Sequence, residues 1–495
     1  MRADGRTRAT LRHAVVATPL LLVAACGPVA MLTRPEGDGG WTAERRTREL
    51  ERRATGAAVA LAAEAPAPRP SSAPLTLQDA LRLAAGGNRR LSEARQQLAI
   101  ARARVAEVRG RLFPSTIASG RYAFTTDEQS TRVALPAELF PSGAPPSVAI
   151  RDQNLGTVNA TVTLPLDLSG ELRWALASAQ AGYRGEAARL WATTLQQDVV
   201  VIGAYYTLLE ALKLQTVTEQ TIALQREQLA HANERFDRGR LTKNELLVVQ
   251  VGLQDAEQEL RRRLLAIDEA RWALNEAIGA PVDAPTRVAD VAERPTLPVV
   301  TEALQVAYRE NPVLVALVEE QQRLEASATS LSRSRLPRFS GGGSIDHSTT
   351  EVIDPATLGT GFVGFSWDLD TDTRIRARLA AERAAVEQNR IRVERELREL
   401  ERAVRATWGA AAERLAALTS AEAAVGQAEE NLRIRRQQFD VGRATSDDVL
   451  DAQRLLSLQR ATLATARYQA QTHRAELQAL MGQPVTDLLA DGRSQ

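Results

Sequence analysis

One segment of this chain is written twice, and that duplication limits the possible folds more than any other feature. Phe236-Asp-Arg-Gly-Arg-Leu-Thr242 recurs as Phe439-Asp-Val-Gly-Arg-Ala-Thr445, a spacing of 203 residues. The same spacing carries Ile278-Gly-Ala-Pro-Val282 onto Met481-Gly-Gln-Pro-Val485, so the segments between the two matches are equal in length. Whatever one half of the chain builds, the other half builds again.

The two copies also open alike. Leu77-Gln-Asp-Ala-Leu-Arg-Leu-Ala, ending at Asn88, matches Val300-Thr-Glu-Ala-Leu-Gln-Val-Ala, ending at Asn311, at a spacing of 223. Pro114 and Pro337 keep that spacing, and each ends a predicted helix of about 25 residues. Strands follow, predicted at about 117–125 and 157–168 in the first copy and 341–349 and 361–369 in the second. Val158, Ala160, Val162, Leu164, Leu166 and Leu168 alternate with Asn159, Thr161, Thr163 and Asp167. Val363, Phe365, Trp367 and Leu369 alternate with Gly364, Ser366 and Asp368. An alternation of period two marks a strand with one apolar and one polar face. Between Asp167 and Asp368 the spacing is 201, which leaves about 22 extra residues in the first copy. They fall within 126–156, where proline and glycine predict a long loop.

Residues 171–235 and 373–438 contain no proline and predict helices near 100 Å long. After each duplicated segment a seven-residue apolar repeat runs through Leu246, Leu253, Leu260, Ile267 and Leu274, and again through Val449, Leu456, Leu463, Ala470 and Leu477. That period supercoils helices about one another. Gly239 and Gly442 can take the left-handed conformation that stops a helix. Thr242 with Glu245, and Thr445 with Asp448, form the capping box that starts the next. The duplicated segment is therefore a tight turn at the tip of an antiparallel coiled-coil hairpin. Each copy reads helix, strand, strand, long helix, tight turn, helix, in a mainly α chain.

Aromatic residues make up only 4% of the chain, and the net charge of +1 gives no pull toward nucleic acid. His13, His231, His347 and His473 stand singly, so no metal cluster is visible, and no catalytic set is visible either. The single cysteine, Cys26, excludes an internal disulfide. Arg2, Arg6, Arg8 and Arg12 precede an apolar stretch at 14–23, which is too short to span a bilayer and reads as an export signal over 1–25. Leu22-Val-Ala-Ala-Cys26 resembles the lipobox of bacterial lipoproteins, which implies lipidation of Cys26. An ordinary signal peptide leaving a free thiol is the other reading. Residues 26–74 then form a Pro- and Ala-rich tether, with a short helix predicted within 43–64. The first repeat spans 75–282, a linker 283–299, the second repeat 300–488 and a tail 489–495. No transmembrane helix is predicted after the signal.

Four strands with open edges are unsafe in water or lipid unless something closes them, and three chains would supply twelve. The Leu-x-Asp-Ala-Leu opening, the duplicated Phe-Asp-x-Gly-Arg-x-Thr tips and the Gly-x-Pro-Val endings resemble the TolC-like outer-membrane efflux proteins. Cys26 points to the lipoprotein branch of multidrug efflux channels. The resemblance implies a homotrimer with a 12-stranded β-barrel in outer-membrane lipid and an α-helical coiled-coil tunnel across the periplasm. It implies a passive duct that performs no chemistry, uses no cofactor and works with a periplasmic adaptor (membrane fusion) protein and an inner-membrane efflux pump, for drugs or other small molecules. Protein secretion or metal efflux is the alternative within the family. The family's gate acids fall on Asp448 and Asp451, with Asp447 beside them and Glu245 as the counterpart in the first tip. A second reading makes Asp448 a helix cap alone. For adaptor docking the resemblance selects Phe236, Gly239, Arg240, Leu241, Phe439, Gly442, Arg443 and Ala444. Packing of the turn is the other reading for the glycines and phenylalanines. Where family members carry tyrosine before the tip and arginine after it, this chain has Phe439 and Ala444. An adaptor lipoprotein would show one hairpin within a β-rich module, and a coiled-coil scaffold would explain neither Cys26 nor the strands.

Overall fold

The computed structural model describes residues 74–127, 129–132, 147–151, 154–239, 241–290, 295–349, 355–368 and 372–485. Cys26, the predicted signal and tether, Arg240 and the C-terminal tail lie outside them. In the first copy α1 (Leu77–Gly87) and α2 (Arg89–Gly110) lead into β1 (Ser115–Phe124), β2 (Gln129–Arg132), β3 (Ser147–Arg151) and β4 (Asn154–Leu166). Helices α3 (Glu171–Asp237) and α4 (Lys243–Ile278) form the first hairpin. The second copy supplies α5 (Val300–Glu310), α6 (Pro312–Arg333), β5 (Arg338–Ser348), β6 (Thr357–Ser366), α7 (Asp372–Asp440) and α8 (Ser446–Leu480). At 67 and 69 residues, α3 and α7 are each about 100 Å long.

The structure corrects the sequence reading at two places. Where the repeat order counts one helix before each first strand there are two, an 11-residue helix ahead of the expected one of about 25, and the two meet at Asn88 and at Asn311. Asn88 Oδ1 accepts from the backbone N–H of Arg90 (2.9 Å) and Leu91 (3.3 Å), which caps α2 while its own backbone leaves the helical region. Asn311 does the same for Val313 and Leu314 at the start of α6. The extra segment of the first copy is also not all loop, because β2 and β3 pair as an antiparallel ladder inside it.

The repeat is repeated in its hydrogen bonds. Asn88 Nδ2 donates to Ala277 O (3.4 Å) near the end of α4, and Asn311 Nδ2 donates to Leu480 O (3.0 Å) at the end of α8. Tyr205 Oη donates to Leu75 O (2.9 Å) just before α1, and Trp408 Nε1 donates to Pro298 O (2.8 Å) just before α5. Each long helix thus anchors the entry to its own copy, and each helix break docks on the end of its own hairpin. The largest apolar core forms where α1, α3, α4 and α8 converge, around Trp191, Leu195, Ile202, Tyr205, Leu274 and Tyr468. Helix α3 is the spine of the assembly and packs along α2, α4, α6 and α8. Among the described residues no helix is long and apolar enough to cross a membrane.

Candidate functional site

Strands β1, β4, β5 and β6 form one antiparallel sheet in that order. Its polarity is inverted relative to a sheet packed in water. Along β4, Val158, Ala160, Val162, Leu164 and Leu166 are exposed, while Asn159, Thr161 and Thr163 are half-buried. Register extends the apolar face to Ile345, Val363 and Phe365, which are 60%, 82% and 68% exposed. The other face is a hydrogen-bonded polar network. Asn159 Nδ2 donates to Asp346 Oδ1 (2.5 Å), Ser344 Oγ donates to Asp346 Oδ2 (2.8 Å), and Thr161 Oγ1 donates to Asn159 Oδ1 (2.8 Å). Apolar side chains outward and polar side chains inward is the pattern of a membrane-embedded barrel wall.

The hairpin tips lie at the far ends of α3 and α7. Gly239 and Gly442 have φ of +67° and +74°, and the helices stop there because few side chains tolerate that conformation. Both capping boxes are closed. Thr242 N–H donates to Glu245 Oε2 (2.8 Å) and Glu245 N–H to Thr242 Oγ1 (3.3 Å). Thr445 N–H donates to Asp448 Oδ2 (2.8 Å) and Asp448 N–H to Thr445 Oγ1 (3.2 Å), so the shorter acid still completes the box. The backbone N–H and then the hydroxyl of Thr445 hold the Asp448 carboxyl below its ordinary range, with Arg435 adding a smaller pull. Thr242 does the same for Glu245. Asp451 lies one turn on, beside Arg454 (3.4 Å), with its side chain 75% exposed. Asp447 is exposed as well.

The remaining tip residues divide into packed and displayed. Phe439 is half-buried at the edge of the apolar cluster formed by Ala428, Leu432, Val449, Ala452 and Leu456. The Arg235 guanidinium lies 3.9 Å from its ring centroid, and Arg235 Nη2 donates to Phe439 O (3.3 Å). Leu241, one of the docking residues the resemblance selects, is partly buried against the cluster of Ala232, Val249 and Leu450. Ala444 is half-buried, whereas Phe236, Gly239, Gly442 and Arg443 are exposed. Two features escaped the sequence reading. Val441, the first of the motif's two variable positions, is 69% exposed. Arg235, Gln228 and Arg436 join the first hairpin to the second, with Gln228 Nε2 donating to Ser446 O (3.3 Å) and Arg436 facing Glu227 at 4.0 Å. A small cavity of 170 Å³ lies between the hairpins there, lined by Gln228, His231, Arg235, Phe439 and Gln453. Only the chance neighbours of the motif, not the motif itself, could have signalled these contacts.

The model of the outer membrane efflux protein family matches residues 80–280 and 303–483. The chain belongs to that family. Proteins of this family are passive channels of the outer membrane rather than enzymes, typically trimeric and working with adaptor and pump partners. No curated protein matches the chain in sequence. Solved structures share its fold at low identity. CusC, studied for its folding and transmembrane channel formation, is 14% identical with a TM-score of 0.69, covering 82% of this chain and 92% of its own. VceC from Vibrio cholerae is 17% identical with a TM-score of 0.68, over 83% and 96%. The CmeC outer membrane channel of Campylobacter jejuni is 14% identical with a TM-score of 0.63, over 93% of both chains. The inverted sheet and the long hairpins are thus those of an outer-membrane efflux channel.

Proposed function

We propose that three copies of this chain close into a 12-stranded barrel in the outer membrane and a helical tunnel below it. The tunnel serves as the exit duct of a tripartite system for drugs or other small molecules. The observation that carries this reading is the inverted sheet at one end of hairpins about 100 Å long. The displayed tip residues Phe236, Val441 and Arg443, together with Arg240 of the same motif, meet a periplasmic adaptor, and an inner-membrane pump of the resistance-nodulation-division type delivers the cargo. Asp448 and Asp451 from three copies, with Asp447 and Glu245 nearby, crowd one constriction. There they attract cations and restrict passage. Asp448 serves as cap and gate together, since its box uses Oδ2 and leaves Oδ1 toward Arg435 (3.8 Å). Cys26 carries the lipid anchor.

Planar-bilayer recording tests the gate. Asp448→Ala with Asp451→Ala is expected to raise conductance or shift cation selectivity, and unchanged currents would leave Asp448 a cap alone. Cys26→Ser is expected to abolish palmitate labelling. Loss of drug efflux in a strain lacking its own channel, restored by this chain together with its adaptor and pump, tests the cargo.

A further inference from the structure

The apolar face of the sheet continues past the last strand residues. Leu168, two residues beyond Leu166, is 71% exposed, and Trp367, two beyond Phe365, is 54% exposed. Phe113 at the entrance to β1 and Trp174 in the first turn of α3 are also exposed. At this level the chain changes from strand to helix and from aliphatic residues to arginine. Arg109, Arg111, Arg173, Arg333 and Arg335 all lie exposed within a few residues of the strand ends.

Hydrogen bonds tie these arginines to the apolar groups. Arg173 Nη2 donates to Asp167 O (3.0 Å) and Arg333 Nη1 to Ser169 O (3.3 Å), so two guanidiniums hold the turn that displays Leu168. Trp367 Nε1 donates to Arg335 O (3.0 Å). The nearby acids offset only part of the charge. Glu107 faces Arg111, Asp167 faces Arg173, Glu171 is engaged by Arg338, which belongs to the polar face of the sheet, and Asp368, beside Trp367, is a fourth acid acting on Arg338. The belt is therefore apolar above and cationic below.

We propose that this belt binds the phosphodiester headgroups of anionic phospholipids in the leaflet nearest the helices, a role that rests on the sheet being the membrane-spanning part of the channel. Indole rings favour the boundary between hydrocarbon and water, and the guanidinium fork matches a phosphate in two directions. A soluble anion would meet the arginines but leave Phe113, Leu168 and Trp367 uncovered. A neutral lipid would cover those and leave the charge unmet. Anionic lipid does both.

Native mass spectrometry of the full-length protein with added phosphatidylglycerol or phosphatidylcholine tests the idea. The protein is expected to retain phosphatidylglycerol preferentially. Replacing Arg111, Arg173, Arg333 and Arg335 by Gln should reduce that preference about fivefold for each arginine neutralised. The matching set of Arg→Lys substitutions should keep most of it. Equal retention of both lipids, or an undiminished preference in the Gln set, overturns the proposal. So does stabilisation by inorganic phosphate equal to that by phosphatidylglycerol, because the lipid is then not the source. Insertion of the unaltered protein into phosphatidylcholine vesicles is measured first. Failure there sinks the membrane reading itself, a result distinct from loss of lipid preference.

Discussion

At the scale of single residues, glycine serves two purposes at left-handed positions. At Gly239 and Gly442 the space a side chain would fill is empty, so the backbone conformation alone demands glycine. At Gly279 and Gly482 φ is +74° and +76°, but a Cβ would also press on the helix breaks of the same copy. At Gly279 it would lie 2.7 Å from Gly87 O, and at Gly482 it would press on Glu310 O and the backbone beside it. Gly442→Ala is therefore expected to cost about 1–2 kcal/mol, the left-handed penalty. Gly482→Ala should cost distinctly more because the Glu310–Asn311 backbone must move; the melting temperatures of the two variants by circular dichroism compare them. Asp198 is another residue with a measurable signature. It sits half-buried on α3 in the stripe of Leu195 and Ile202, and desolvation by its neighbours pushes its carboxyl up to about 7. A carboxyl raised from 3.8 in the folded state contributes stability at acid pH that is lost as pH rises through 7. Asp198→Asn is expected to raise the melting temperature more at pH 8 than at pH 5, and an equal shift at both would contradict the desolvated carboxyl.

At the scale of elements, the hairpins are units that start and stop by local rules, and this is why they were legible in the sequence. Phe-Asp-x-Gly-Arg-x-Thr states where one helix ends and the next begins. Thr445→Ala should destabilise the start of α8 by about 1 kcal/mol. It should also speed hydrogen exchange at residues 446–449, while Thr445→Ser leaves exchange nearly unchanged. Period two revealed the strands and their two faces, but not which face is exposed, since alternation is blind to the inside. The breaks at Asn88 and Asn311 were missed because each asparagine follows an apolar helical pattern and acts through distant partners, Ala277 O and Leu480 O. The contacts of Arg235 with Phe439 were hidden for the same reason: they join segments about 200 residues apart. Local signals reached the fold and the tip, whereas the seams between hairpins are tertiary.

At the scale of the whole molecule, the open question is what closes the sheet. In one chain β1 and β6 each have a neighbour on one side only, and each presents ten residues of backbone on the other. Inside hydrocarbon every unpaired N–H and C=O costs several kcal/mol, so such edges do not stay open. All pairings in the sheet are antiparallel, and with four strands β1 and β6 run in opposite directions. The β6 edge of one copy can therefore pair with the β1 edge of the next and continue the antiparallel order without interruption. Such a head-to-tail contact closes into a ring rather than a two-fold pair. The polar network of Asn159, Ser344 and Asp346 then lines the inside, and the exposed row from Val158 to Phe365 meets lipid. Gly361→Pro removes a donor at the centre of β6, opposite Gly343, and its fixed φ distorts the strand, so β6 should no longer present a regular edge. Light scattering of the detergent-extracted protein should give about three chain masses for the unaltered protein and one for the variant, with loss of bilayer conductance. The substitution Gly361→Ala, which keeps the N–H, controls for the glycine itself and should retain the ring. A single-chain mass for the unaltered protein, with conductance intact, would require the sheet to close in some other way.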